Sequence, residues 1–247
     1  MGLAGRVLSA ATMSLLCAAA TAQPQPAPAQ ALPPLVQGAQ ALGSAWRVVG
    51  LPAQKMPLTR YSAERVDGRL ALRLEARASY GNFVHELPPL PLPRTLSWAW
   101  RMDQANPAVK LRTREGDDAA AKVCLSFDLP IQQVPFVERT LLRLARARTG
   151  ADLPAATLCW VWGGRETTGD LIDNPYTRRV RSIVLRGAAD ASGQWLVESR
   201  DVAADFRRAF GDESAAPPPL TAVIVAADAD NTGATSVAHV ADLQFAP

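Results

Sequence analysis

Between Leu70 and Arg77 the chain alternates. Leu70, Leu72, Leu74 and Ala76 fall on one side, and Ala71, Arg73, Glu75 and Arg77 on the other. A period of two belongs to a β-strand with one face in a core and one in water. The same pattern returns at Leu96, Trp98, Trp100 and Met102, at Val123, Leu125 and Phe127, and at Leu158, Trp160 and Trp162. Val237, His239, Ala241, Leu243 and Phe245 repeat it once more, which assigns these five to the core face of a final strand. Leu220 to Ala227 is apolar on both faces and reads as a central strand. Weaker strands fall near 57–66, 80–87, 178–187 and 194–200.

Two helices interrupt the strands. Val134 to Arg148 carries Val137, Leu141, Leu144 and Ala145 on one stripe and Arg139, Arg143, Arg146 and Arg148 elsewhere, with Gly150 placed as a C-cap. Val202 to Phe210 has Val202, Phe206 and Phe210 on one face, Asp201 as a candidate N-cap and Gly211 after its end. Helices this few, and not interleaved with strands as βαβ units, argue against a parallel α/β fold. The sequence predicts a mainly β chain: an antiparallel two-sheet β-sandwich, jelly-roll-like, with two short helices and about 40% strand, well above the usual share.

The N-terminus places Arg6 before an apolar run that ends in Ala20-Thr21-Ala22, the small-x-small site of a signal peptidase. The run is too short to span a bilayer, which takes roughly 18 or more apolar residues. Cys17 follows Leu16, where a lipoprotein site wants a small residue. The expected organisation is a signal peptide at 1–22, a Pro-rich tether at 23–34 and one domain at 35–247, its folded part beginning near Leu35 or Trp46. After cleavage no second apolar stretch could cross a membrane as a helix. The expected location is the periplasm or the exterior of a bacterium.

Charge narrows the partners. The chain has 26 Lys and Arg against 23 Asp and Glu, a net charge of +3. The only lysines are Lys55, Lys110 and Lys122, and the arginines interleave with acids instead of forming a stripe. A nucleic-acid binder needs a basic face with aromatic or groove-entering elements, so nucleic acid is excluded as a partner.

Several segments carry a resemblance: Gly116-Asp117-Asp118, Cys124-Leu-Ser-Phe127, Leu158-Cys-Trp-Val-Trp162, Asn174-Pro-Tyr-Thr177, Trp195 to Asp201, Asp205 to Gly211, and Asp228-Ala-Asp-Asn-Thr-Gly233. In order and spacing the region from about 45 to 246 resembles a bacterial family catalogued as a domain of unknown function, DUF3047. That resemblance implies a secreted protein with a jelly-roll-like sandwich and no established activity. It supplies no catalytic residues.

Candidate chemistry is sparse. There is no Gly-x-Ser-x-Gly elbow. His85 and His239 are isolated, which is too few for a zinc cluster. Cys124 and Cys159 each point opposite to the apolar face of their strand, and in an oxidising compartment they form a candidate disulfide, the alternative being two small buried hydrophobes. Asp117 and Asp118 precede a strand and are candidates for ligand or ion contact, with loop-turn chemistry as the first reading. Trp162, at a strand end before Gly163-Gly164, is the tryptophan best placed to stack on a sugar. Asn174 and Tyr176 sit in a polar loop with Asp170 and Asp173 that would border a site.

Asp228, Asp230 and Thr232 occupy positions 1, 3 and 5 of a calcium loop, with Gly233 at position 6. Position 12 is His239 where a Glu is needed, and no helix flanks the segment. A calcium site here would borrow oxygens from Asp117, Asp118, Asp242 or water, and a tight turn is the competing reading. No cofactor is assigned, with calcium the one candidate. The sequence points first to a glycan-binding or accessory module of the cell envelope. The alternatives are a structural protein with an envelope-protein partner, and a carboxylate-dependent glycoside hydrolase or lyase using Asp117, Asp118 or Glu198.

Overall fold

The computed structural model describes residues 1–2, 31–190 and 192–246. The expected signal peptide beyond Gly2, and the tether up to residue 30, lie outside the described residues. About 41% of the chain is strand.

Two sheets face each other. One holds, in spatial order, β1 (Arg47–Val49), β4 (Asn82–Leu90), β11 (Leu220–Ala226), β6 (Ala121–Phe127), β7 (Ala156–Trp162), β9 (Val180–Arg186) and β8 (Leu171–Asp173). The other holds β10 (Leu196–Asp201), β5 (Thr95–Gln104), β12 (Thr235–Ala246), β3 (Arg69–Arg77) and β2 (Arg60–Val66). Every pairing is antiparallel except β7 with β9. That parallel pair arises because the chain leaves β7, runs out to form the edge strand β8, turns, and comes back as β9 between them.

The alternating positions face inward. Leu72, Leu74, Leu96, Trp98, Trp100, Val123, Leu125, Leu158, Trp160 and Trp162 all belong to the core between the sheets. The tryptophans interlock: Trp98 lies 5.6 Å from Trp160 and Trp100 5.5 Å from Trp162, centroid to centroid. A buried indole needs a partner for its N–H. Trp160 Nε1 donates to Asp205 (2.7 Å), Trp162 Nε1 to Gly187 O (3.1 Å) and Trp100 Nε1 to Glu198 (3.1 Å). Helix α2 (Val202–Phe210) is capped by Asp201, whose Oδ1 accepts from Ala204 N. It adds Phe206 and Phe210 to the core, Phe206 packing 4.6 Å from Phe127.

The final strand departs from the expected phase. Ala238 and Val240 face the core, whereas Val237, His239 and Ala241 lie on the outer face. A bulge explains both the error and its partial repair. Asp242 adopts φ 54°, the pairing with β5 slips between Ala241 and Gln244, and Leu243 and Phe245 beyond it turn inward. His239 is therefore not an inter-sheet residue. It is buried beneath side chains of the outer face, Nε2 3.0 Å from Glu64 and Nδ1 2.8 Å from Asp103.

A smaller apolar cluster covers the outside of the seven-stranded sheet. It joins Cys124, Cys159, Val161, Ile172 and Val184 to Val109, Leu111 and Ala119 of the β5–β6 connection. Cys124 and Cys159 stand opposite each other in β6 and β7 and are joined by a disulfide. The connection lies so close that a Cβ on Gly164 would meet Val109 O at 2.5 Å. Residues 128–155 leave the sheet between β6 and β7 and form helix α1 (Phe136–Thr149), which buries only Leu142. Leu32 touches the core and Pro33 O accepts from Trp46 Nε1 (3.2 Å), so the end of the expected tether belongs to the domain.

Candidate functional site

The β11–β12 connection carries the chain from one sheet to the other, and its residues 228–233 meet the segment just before β6. Asp118, fully buried, organises this meeting. Its carboxylate accepts from Thr232 N (2.8 Å), Thr232 Oγ1 (2.5 Å), Asn231 N (3.2 Å) and Asn231 Nδ2 (3.2 Å). Asp228 answers in the other direction, accepting from Ala119 N (2.6 Å) and Lys122 Nζ (2.5 Å). Short acidic side chains here take the place of the backbone partners that a turn leaves unpaired. Burial draws the Lys122 ammonium down, but Asp228, Tyr80 and Asp117 outweigh it and hold Lys122 protonated well above its usual range.

A third segment closes on the first two. Asn174 Nδ2 donates to Asp117 (2.5 Å), and Asn174 Oδ1 accepts from Tyr176 N (3.0 Å) and Thr177 N (3.2 Å), a side-chain turn that fixes the loop. The Tyr176 hydroxyl donates to Asn231 Oδ1 (2.7 Å), while its ring, 55% exposed, lies under the Arg114 guanidinium at 5.2 Å. Burial raises the Asp117 carboxyl to about 6, with Asp228 and Asp118 adding to it and Lys122 and Asn174 opposing. Burial likewise raises Asp230 to about 6, reinforced by Asp228 and Asp118. Among the described residues Asp230 Oδ1 is buried without a hydrogen-bond partner.

Of the candidate residues, Asp117, Asp118, Asn174, Tyr176, Asp228, Asp230 and Thr232 thus come together at one place. They divide by role: Asp118, Asp228 and Thr232 hold loops to each other, whereas Asp117 and Tyr176 each bond one neighbouring side chain, Asn174 and Asn231. The three calcium-loop positions share the loop but do not converge, because Asp228 faces Lys122 and Thr232 Oγ1 faces Asp118. Among the described residues no three His, Cys, Asp or Glu side chains are gathered so as to hold a metal ion.

Two candidates lie elsewhere. Trp162, expected at an accessible strand end, is buried against Trp100, and its strand end is roofed by Val109 over Gly164. Glu198 is committed to Trp100 Nε1 and to Arg186 Nε (2.7 Å), away from the other carboxylates.

Sequence reading missed a cavity of about 520 Å³ that adjoins the same loops. Its polar lining is Arg112, Asp173, Arg178, Arg181, Arg208 and Asp212. Arg112 comes from the segment that carries Arg114, and Asp173 and Arg178 flank Asn174 and Tyr176. Behind it, Arg179 and Arg181 clamp Glu213, all three side chains nearly fully buried, with Arg179 donating at 2.6 and 2.8 Å. Arg208 reaches only the carbonyl of Gly169 and pairs with no carboxylate among the described residues. These partners are distant in sequence, so no local motif signals them.

A family model described as "Protein of unknown function (DUF3047)" matches residues 44–244. The chain belongs to this family. No curated protein matches it. Three solved structures are similar at low identity. The K2 cleaved adhesin domain of Lys-gingipain is 8% identical at TM-score 0.35, with 83% of this chain and 91% of that chain covered. The xyloglucanase domain of NopAA, a type three effector from Sinorhizobium fredii, in complex with cellobiose, is 8% identical at TM-score 0.40, covering 89% and 98%. Endoglucanase cel12A from Rhodothermus marinus is 12% identical at TM-score 0.39, covering 87% and 94%. No residue role passes from them to this chain.

Proposed function

We propose that this protein is an exported envelope protein that binds a carbohydrate at the loop cluster formed by 114–118, 174–178 and 228–232. One observation carries the reading: the exposed ring of Tyr176 is fixed by Arg114 and Asn231 beside the carboxyls of Asp117 and Asp230, and its loop walls the arginine-lined cavity. A sugar presents an apolar ring face and a rim of hydroxyls. A held aromatic ring with convergent polar groups suits both. Asp117 and Asp230 accept from hydroxyls, and Arg112, Arg178 and Arg208 donate to them. Titration against a glycan array tests this. Tyr176→Ala should weaken binding at least about tenfold, the scale of one lost hot-spot aromatic. An array without hits would shift the reading to an envelope-protein partner.

A second reading, carboxylate-dependent glycoside cleavage, is favoured by one fact: Asp117 and Asp230 stand at about 6, near the range of a general acid. Release of reducing ends that disappears in both Asp117→Asn and Asp230→Asn would establish it. The same carboxyls set a pH dependence. Their folded values lie above the ordinary carboxylate value of about 4, so the folded chain binds more protons than the unfolded chain between about pH 4 and 6. Their contribution to stability is full below that window and is lost as pH rises through it. Thermal melts across the window should show a decline that is shallower in Asp230→Asn.

A further inference from the structure

Helix α1 presents its apolar face to the outside. Phe136, Val137, Leu141 and Leu144 are 73%, 66%, 55% and 45% exposed. Taken round the helix with Ala147, these side chains fall in one arc of roughly 140°, which Thr140 and Arg148 share, opposite the buried Leu142. Such an arc normally packs on a core, and a contiguous exposed apolar patch marks a contact surface.

The charges around the arc say what the contact is. Arg139 and Arg143 run along one margin, and Arg148 falls just inside the other, between Val137 and Leu141 round the helix. Arg139 lies over the Phe136 ring at 5.7 Å, and none of these three arginines pairs with a carboxylate among the described residues. The only acid of the helix, Glu138, turns toward Arg179 (3.6 Å). Apolar side chains on one face with arginines at its edges are the signature of a helix lying in a lipid–water interface. A second copy fits worse. Two such faces in contact would bring unpaired arginines together, and a helix of 14 residues is about 21 Å long, too short to supply the roughly 800 Å² per partner of a stable interface.

We propose that α1 is an interfacial helix that lays Phe136, Val137, Leu141 and Leu144 on an anionic phospholipid surface, with Arg139, Arg143 and Arg148 against the headgroups. Each basic residue at such a surface strengthens partitioning roughly fivefold. The proposal is independent of the carbohydrate reading, since no residue of α1 belongs to the loop cluster.

Amide exchange of the full chain, read by mass spectrometry over residues 136–149, tests it with vesicles of mixed phosphatidylglycerol and phosphatidylcholine against pure phosphatidylcholine. Because the readout is local, attachment through any other segment does not mimic it. Exchange over α1 should slow about tenfold on the anionic vesicles only, and added salt should restore it. Leu141→Glu with Leu144→Glu, and separately Arg143→Glu with Arg148→Glu, should abolish the protection while leaving the melting temperature unchanged. Unchanged exchange on anionic vesicles, or equal protection on neutral ones, would overturn the proposal. Protection that appears without lipid as the protein is concentrated would overturn it in favour of a second copy.

Discussion

The two helices have similar sequence patterns and opposite fates. Both repeat apolar residues at helical spacing and both end at a glycine. Helix α2 buries Val202, Phe206, Ala209 and Phe210, is capped by Asp201, and is tied to the seven-stranded sheet through Asp205 on Trp160 and Glu213 on Arg179 and Arg181. Helix α1 starts at Pro135 without a side-chain cap and buries Leu142 alone. The difference teaches that periodicity specifies a helix and its stripe, whereas the neighbours decide which way the stripe turns. Helix α2 meets an apolar surface, with Phe206 packed on Phe127 and Trp160 bonded to Asp205. The 128–155 excursion reaches the core through Leu129, Val134, Leu142 and Ala155, but among the described residues the stripe Phe136, Val137, Leu141 and Leu144 of α1 meets no comparable surface.

Truncations should separate the helices most sharply in the core. Phe206→Ala should cost about 3–5 kcal/mol, measured by denaturant unfolding, because it opens a cavity against Phe127 and Phe210. A loss below about 1 kcal/mol would mean that α2 is as loosely held as α1. Next comes the staple under α1. The Cys124–Cys159 bond closes a separation of 35 residues, and replacing both cysteines by Ala should lower stability by about 3–4 kcal/mol through chain entropy. If that excursion alone loosens, amide exchange in α1 will rise while α2 stays protected, a sub-global opening. Removing the cap, Asp201→Ala, should cost about 1 kcal/mol at α2. No side-chain cap exists at α1 to lose. The smallest effect belongs to the outward stripe: Leu141→Ala or Leu144→Ala should move stability by no more than about 0.5 kcal/mol. A loss of 2 kcal/mol there would place the stripe in a core and sink the comparison.

The loop cluster was largely legible, and its division of labour was not. Asp228-Ala-Asp-Asn-Thr-Gly233 stood out as a turn rich in short acidic side chains, and Asp118 was among the residues expected to reach it. The sequence could not say that Asp118 and Asp228 would be used up by backbone amides and Lys122, leaving Asp117 and Asp230 as the raised carboxyls. Which carboxylate meets a donor depends on segments more than a hundred residues apart. Trp162 failed for a related reason. Two glycines mark a strand end, but the 106–119 connection folds over that end, and nothing near Trp162 encodes the covering.

Hydrophobic patterning by itself determined the sandwich, the inward face of its strongest alternating positions, the two helices and the buried character of β11. Burying one face of a strand is a local rule, readable wherever side chains alternate without a break. Tertiary structure decided the rest. The bulge at Asp242 reversed the phase of β12 and moved His239 to the outer face, because an inserted residue changes direction without changing the pattern around it. The return of β9 between β7 and β8, the clamp of Arg179 and Arg181 on Glu213, and the outward stripe of α1 are likewise set by what packs against each segment. Alternation specifies what a strand or helix must bury, and only the assembled sheets specify whether anything is there to bury it.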